Sequence, residues 1–153
     1  APDLNISQDV LGAISAADEG AATQRLRIRL AKAGHLYEAR SGRYLGDGDT
    51  AVDTLSATSA RLYSVMPYRV DALALTRKSS GYQASLSVSG AAAGEHVFRF
   101  DWAGADGARD LDRGANVIAA GGEATWTPSL PLPADGSVTC TDVATGVSAH
   151  LRC

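Results

Sequence analysis

Two hydrophobic periods divide this chain. Through roughly the first 40 residues, apolar positions fall at helical spacing. Ile6, Val10, Ile14 and Ala17 are separated by four, four and three, and Leu26, Leu30, Ala33 and Tyr37 by four, three and four. Each set lines one stripe of a 3.6-residue period and predicts a long N-terminal helix. Asn5 or Ser7 would cap its start, and Ser41-Gly42 would close it. Gly20, in Asp18-Glu19-Gly20, marks the expected kink, because glycine weakens a helix interior. The stretch 42–60, centred on Gly46-Asp47-Gly48-Asp49, is rich in Gly, Asp, Thr and Ser. It is expected to be an irregular connection, with a short helical turn around Ala51 to Leu55.

From Tyr68 the period changes to two. Tyr68, Val70, Ala72, Ala74 and Thr76 alternate with Arg69, Asp71, Leu73, Leu75 and Arg77. A turn at Lys78-Ser79-Ser80-Gly81 leads to a second alternating run, Tyr82 to Ser89. A loop, Gly90 to Gly94, leads to a third, Glu95 to Trp102. Strands joined by short turns predict an antiparallel meander. Further pairing would come from Ala124-Thr125-Trp126 or from a C-terminal hairpin, Ser137 to Leu151. The prolines of Pro128-Ser129-Leu130-Pro131-Leu132-Pro133 bar that stretch from a central strand. The expected fold class is therefore α+β. A long N-terminal helix packs on an antiparallel meander in one domain over residues 1–153, a length within the single-domain range.

The two cysteines of the chain, Cys140 and Cys153, bound its last 14 residues. Two cysteines alone, in a chain of exported character, predict a disulfide that closes the terminal hairpin. By the chain-entropy model such a loop contributes ~3 kcal/mol. The net charge of −3 gives no bulk attraction for nucleic acid. No apolar run approaches the ~20 residues that span a bilayer. The opening Ala1-Pro2-Asp3 reads as a processed or truncated start. The expected location is extracellular, at the cell surface or periplasmic, with membrane contact only through a missing N-terminal segment. Charge is polarised along the first 43 residues. Asp3, Asp9, Asp18 and Glu19 come first, then Arg25, Arg27, Arg29, Lys32, Arg40 and Arg43. That order complements a helix dipole, or pairs one helix with another of opposite sense.

Candidate chemistry is sparse. His35, His96 and His150 have no metal-ligand spacing to one another or to the cysteines, and no nucleophile elbow or phosphate loop occurs. Asp101, Asp106, Asp110 and Asp112 cluster within twelve residues and suggest a calcium loop. No Glu closes such a loop at the EF-hand position, and Arg109 and Arg113 supply neutralising cations. No catalytic residue, cofactor or metal ligand is therefore assigned.

Three local features carry a resemblance to type IV pilins and pseudopilins. Pro2 sits about where those proteins have a proline past their hydrophobic anchor. The run Ala31 to Tyr44 looks like their helix end, and Cys140 and Cys153 look like the pair closing their C-terminal loop. The processing motif and apolar half-helix of that family are missing here. The resemblance implies a structural subunit of a surface filament or secretion pseudopilus, not an enzyme. Its partners would be other pilin-type subunits, and Ile6, Val10 and Ile14 its assembly strip. Two alternatives stand beside it. One is an exported α+β module that binds protein or glycan through exposed aromatics such as Trp102, Trp126 and Tyr63. The other is a small secreted hydrolase whose acid–base partners the fold would bring together.

Overall fold

The computed structural model describes residues 23–56 and 60–153, which hold ten strands and no helix. The chain divides between Pro67 and Tyr68 into two compact units.

In the first unit, β1 (Thr23–Glu38) pairs antiparallel with β2 (Arg43–Ser56) and β3 (Tyr63–Met66), in the order β2-β1-β3. The expected helix is thus a strand from Thr23 onward, and the α+β assignment is corrected to a β-rich fold. The physical reason lies in Arg25-Leu26-Arg27-Ile28-Arg29-Leu30. Leu26, Ile28 and Leu30 are buried and the three arginines are exposed, a strict period of two. The spacing of four between Leu26 and Leu30 satisfies a helix and a strand alike. Ile28 lies between them and fits only the strand. Ile6, Val10 and Ile14 lie outside the described residues. The stretch 42–60, expected to be irregular, contains β2.

The β1–β2 ribbon is sharply bent. Four residues of β1, Leu30 to Ala33, stand against Asp49 alone, and the register shifts there. Just beyond, opposite Leu36 and Gly34, Gly46 and Gly48 take φ of 124° and 117°, a region where a side chain would strain the backbone. The bend explains why Arg43 and Asp53, ten residues apart in one strand, form an ion pair. A straight strand would hold them ~34 Å apart. The folded ribbon encloses Leu26, Ile28, Leu30 and Leu36, with Leu45, Leu55, Tyr63 and Val65 packed around them.

The second unit is a seven-stranded sandwich. One sheet has the order β4 (Arg69–Lys78), β5 (Gly81–Ser89), β8 (Glu123–Trp126). The other has β10 (Ser148–Arg152), β9 (Ser137–Asp142), β6 (His96–Ala103), β7 (Arg109–Ala119). The β4–β5 hairpin forms as expected, but a register shift between Val70 and Ala72 breaks the predicted alternation and buries Leu73 with Val70. The three-strand meander does not form, because β6 crosses to the other sheet and leaves β5 to pair with β8. The crossing gives both sheets an apolar inner face. Leu73, Tyr82, Ala84, Ala124 and Trp126 meet Phe98, Phe100, Trp102, Val138 and Cys140 in one core. Phe100 stacks on Trp126 across the sheets at 5.3 Å between ring centroids.

The C-terminal hairpin β9–β10 is present, but it is not closed by a disulfide: both cysteines are free. Register explains why. Cys140 stands opposite Ala149, whereas the Cys153 amide bonds to the carbonyl of Gly136, four residues before Cys140 and just ahead of β9. Four residues of strand span ~13 Å, well past the ~7 Å between Cα atoms that a disulfide tolerates. Cys140 serves as a core side chain, and burial with the charges of Asp142 and Asp101 pushes its thiol up to about 12. Cys153 instead meets the Tyr82 hydroxyl at 3.3 Å.

Candidate functional site

Two buried carboxylates organise one end of the first unit. Asp53 is 2% exposed and sits on the inner face of β2 opposite Leu26. Its Oδ1 accepts from the Thr54 amide at 2.7 Å and from Arg43, and its Oδ2 accepts from the Tyr63 hydroxyl at 2.7 Å. Burial alone would push this carboxyl up. The bonds from Arg43, Tyr63 and Thr54 outweigh it and hold Asp53 below the usual range. Burial and the same carboxylate push the Tyr63 phenol up, so it stays a donor.

Glu38 is fully buried where β1 ends. Its carboxylate accepts from the amides of Arg40, Ser41 and Leu62, from Ser41 Oγ at 2.5 Å and from Arg61 at 3.4 Å. Burial opposes its charge, but these bonds prevail and Glu38 too lies below its usual range. Arg61 also donates to the Thr54 carbonyl at 3.4 Å.

Between these two latches lies a cleft of about 430 Å³ lined by Thr23, Ser41, Arg43, Asp53, Thr54, Ser56 and Arg61. Of its two guanidiniums, Arg43 is anchored at one edge and open at the other, whereas Arg61 is bonded through both terminal nitrogens. The Arg43 side chain is 48% exposed although Asp53 is fully covered. Arg61 Nε has no hydrogen-bond partner among the described residues.

The cleft continues into a row of cations. Thr23 stands opposite Ser56, Arg25 opposite Thr54, Arg27 opposite Val52 and Arg29 opposite Thr50. Directly opposed residues share a face, so Arg25, Arg27 and Arg29 line the outer face at ~7 Å intervals and end at the cleft's hydroxyls. No ion pair joins these three arginines to another described residue.

The second unit gathers its polar groups differently. His96 Nδ1 lies 2.9 Å from Asp142 Oδ1, and His96 Nε2 lies 2.8 Å from the Tyr68 hydroxyl. Thr145 Oγ1 donates to Asp142 Oδ2 at 2.5 Å, and the Gly94 amide donates to the Tyr68 oxygen at 2.8 Å. One proton arrangement satisfies the set: Tyr68 donates to a neutral His96, which donates to Asp142. Asp, His and Tyr thus meet in series, as acid–base catalysis would need. Tyr68, His96, Asp142 and Thr145 are, however, 4%, 2%, 0% and 0% exposed, so no substrate atom reaches them. The network fixes the starts of β4 and β6 to the turn after β9.

The remaining candidates are dispersed. Asp101 is held by Arg99 at 2.9 Å and by Arg109, and Asp110 is held by Arg113. Asp106 Oδ1 accepts from the Ala108 amide at 2.9 Å. Among the described residues, no three of His, Cys, Asp and Glu are grouped to hold a metal. His35 lies 2.9 Å from the Tyr44 hydroxyl, and exposed His150 lies 3.2 Å from Thr139. Trp102 and Trp126, named as exposed anchors, are core residues at 7% and 6% exposure, and Tyr63 is half-buried on Asp53. Among the described residues no helix is long and apolar enough to cross a membrane.

Set against protein-family models, curated proteins and solved structures, the chain matches none.

Proposed function

We propose that this chain is a non-catalytic binding module that recognises an acidic polysaccharide along the outer face of β1 and β2. The observation that carries this is the row Arg25, Arg27 and Arg29, in register on an exposed face and without ion-pair partners among the described residues. The arginines of the ion pairs elsewhere are neutralised by Asp53, Glu38, Asp71, Asp101 and Asp110.

The facing residues favour a glycan over a protein. Protein interfaces concentrate binding energy in buried aromatic and apolar anchors. Here the arginines face Thr54, Val52 and Thr50, and Val52 is the single apolar side chain of that set. A carboxylated or sulfated chain offers what this surface lacks, a repeated negative charge with hydroxyls between. Guanidinium forks suit such groups because they donate two parallel bonds. The filament-subunit reading has less to stand on. The helix end it draws on is a strand in residues 31–38, and its assembly strip lies outside the described residues.

Titration with polygalacturonate, with neutral dextran as control, tests the proposal. Polygalacturonate binds, dextran does not, and affinity falls as salt is raised. Replacing Arg25, Arg27 and Arg29 together by alanine abolishes binding while the fold is retained. Equal affinity of the triple variant and the parent would defeat the reading.

A further inference from the structure

The cleft at the end of the arginine row has a built interior that a flat electrostatic surface does not need. We infer that it is a subsite for a single acidic sugar residue, seated with its carboxylate or sulfate on Arg43 and its hydroxyls against Thr23, Thr54 and Ser56. The inference rests on the glycan-binding reading and deepens it, from a polyanion tracked by charge to one sugar read by shape.

Three observations support it. The first is preorganisation. Asp53 is fully buried and grips one edge of Arg43, while Glu38, also fully buried, grips Arg61. Guanidiniums held in place before binding lose little side-chain freedom when a ligand arrives. The second is residual capacity. Arg43 shows an ion pair through Nη2 and is about half exposed, which leaves the rest of its donor fork for an anion. The third is size and lining. The volume of about 430 Å³ lies within the range of small-ligand sites, and four of the seven lining residues carry hydroxyls.

Asp53 also accounts for selectivity. Its oxygens are taken by Arg43, Thr54 and Tyr63, so its negative charge is spent inside the wall and does not repel an anion. Thr23 and Thr54 line the cleft and lie on the same face as Arg25, so the row leads to the cleft's rim. A neutral sugar would leave the open edge of Arg43 without an acceptor and would bind less well.

The test uses free glucuronate, with glucose as the neutral control, followed by saturation-transfer NMR and by competition against bound polygalacturonate. Glucuronate binds, displaces the polymer and outcompetes glucose by about tenfold or more. Thr54→Val removes one hydroxyl and keeps the Thr54 amide and carbonyl that serve Asp53 and Arg61. Arg43→Lys keeps the charge on Asp53 and loses the fork. Each weakens glucuronate several-fold, with the melting temperature measured alongside to show that the latch still holds. Polymer binding with no monomer binding or competition overturns the subsite and leaves the arginine-row reading intact. Failure of both ligands to bind overturns both. Glucose binding as tightly as glucuronate overturns the assigned role of Arg43.

Discussion

Each unit buries carboxylates, but to opposite effect. In the first, Asp53 and Glu38 grip arginines that stay partly exposed, Arg43 by about half. In the second, Asp142 grips a histidine and a threonine that are themselves buried. The first arrangement presents cations, and the second seals a junction between strands. The difference follows from the partner. Arginine is long and always charged, so one end of its fork stays hydrated while the other is held. Histidine and threonine are short, and burying their acceptor buries them too.

The largest expected effect comes from breaking the sealed network. Asp142→Ala leaves the His96 ring N–H and the Thr145 hydroxyl buried without an acceptor. Each orphaned group costs about 1–3 kcal/mol, so the second unit should lose roughly 3 kcal/mol or more. Trp102 and Trp126 are the two tryptophans of the chain and lie in that unit, so denaturation followed by their fluorescence reports on it directly. Asp53→Ala in the first unit should cost less, about 1–3 kcal/mol, because Arg43 turns to water when released. A larger loss from Asp53→Ala than from Asp142→Ala would reverse the comparison.

Acid should separate the units further. Glu38 and Asp53 are both held below their ordinary values of 4.5 and 3.8 in the folded chain. The unfolded chain therefore binds more protons in that window, and stability rises with pH through it. The contribution is complete above about pH 5 and is lost as pH falls through 4.5 and 3.8 towards the lower folded values. Unfolding of the first unit, followed by tyrosine signals at successive pH values, should show this slope. Asp53→Asn should flatten it, and an unchanged slope in that variant would show that Asp53 is not linked to folding.

The free cysteines give a smaller, all-or-none signal. Cys140 is buried with its thiol pushed up to about 12, and Cys153 is partly exposed. A thiol reagent should label one site rapidly in the native protein and a second only on unfolding. A native mass two hydrogens below the reduced mass would restore the disulfide.

These contrasts were unevenly legible in the chain. The strand β5 and the terminal hairpin were plain, because β5 and β9 bury alternate residues, whereas the inward face of β4 was hidden by the register shift between Val70 and Ala72. The first strand was hidden by arithmetic: Leu26 and Leu30 fit both periods, and Ile28 with its flanking arginines was the deciding signal. The disulfide failed because composition says nothing of register, and four residues of offset exclude it. The cleft was invisible for a similar reason. Arg43 and Asp53 sit ten residues apart in one strand, and only the bend at Gly46 and Gly48 brings them together.

The smallest expected effect on stability is the one on which the functional reading depends. Arg25, Arg27 and Arg29 are exposed and carry no ion pair with another described residue. Surface substitutions away from caps, networks and core are nearly neutral. Changing any one of the three to alanine should therefore move the melting temperature by no more than about 2 °C. The same changes should each weaken polygalacturonate binding, and by more at low salt than at high salt. Side chains kept for folding would show the reverse, a large thermal shift with unaltered binding. In that case the row would be a structural face of β1, and the contrast between a unit that presents charge and one that seals it would lose its functional half.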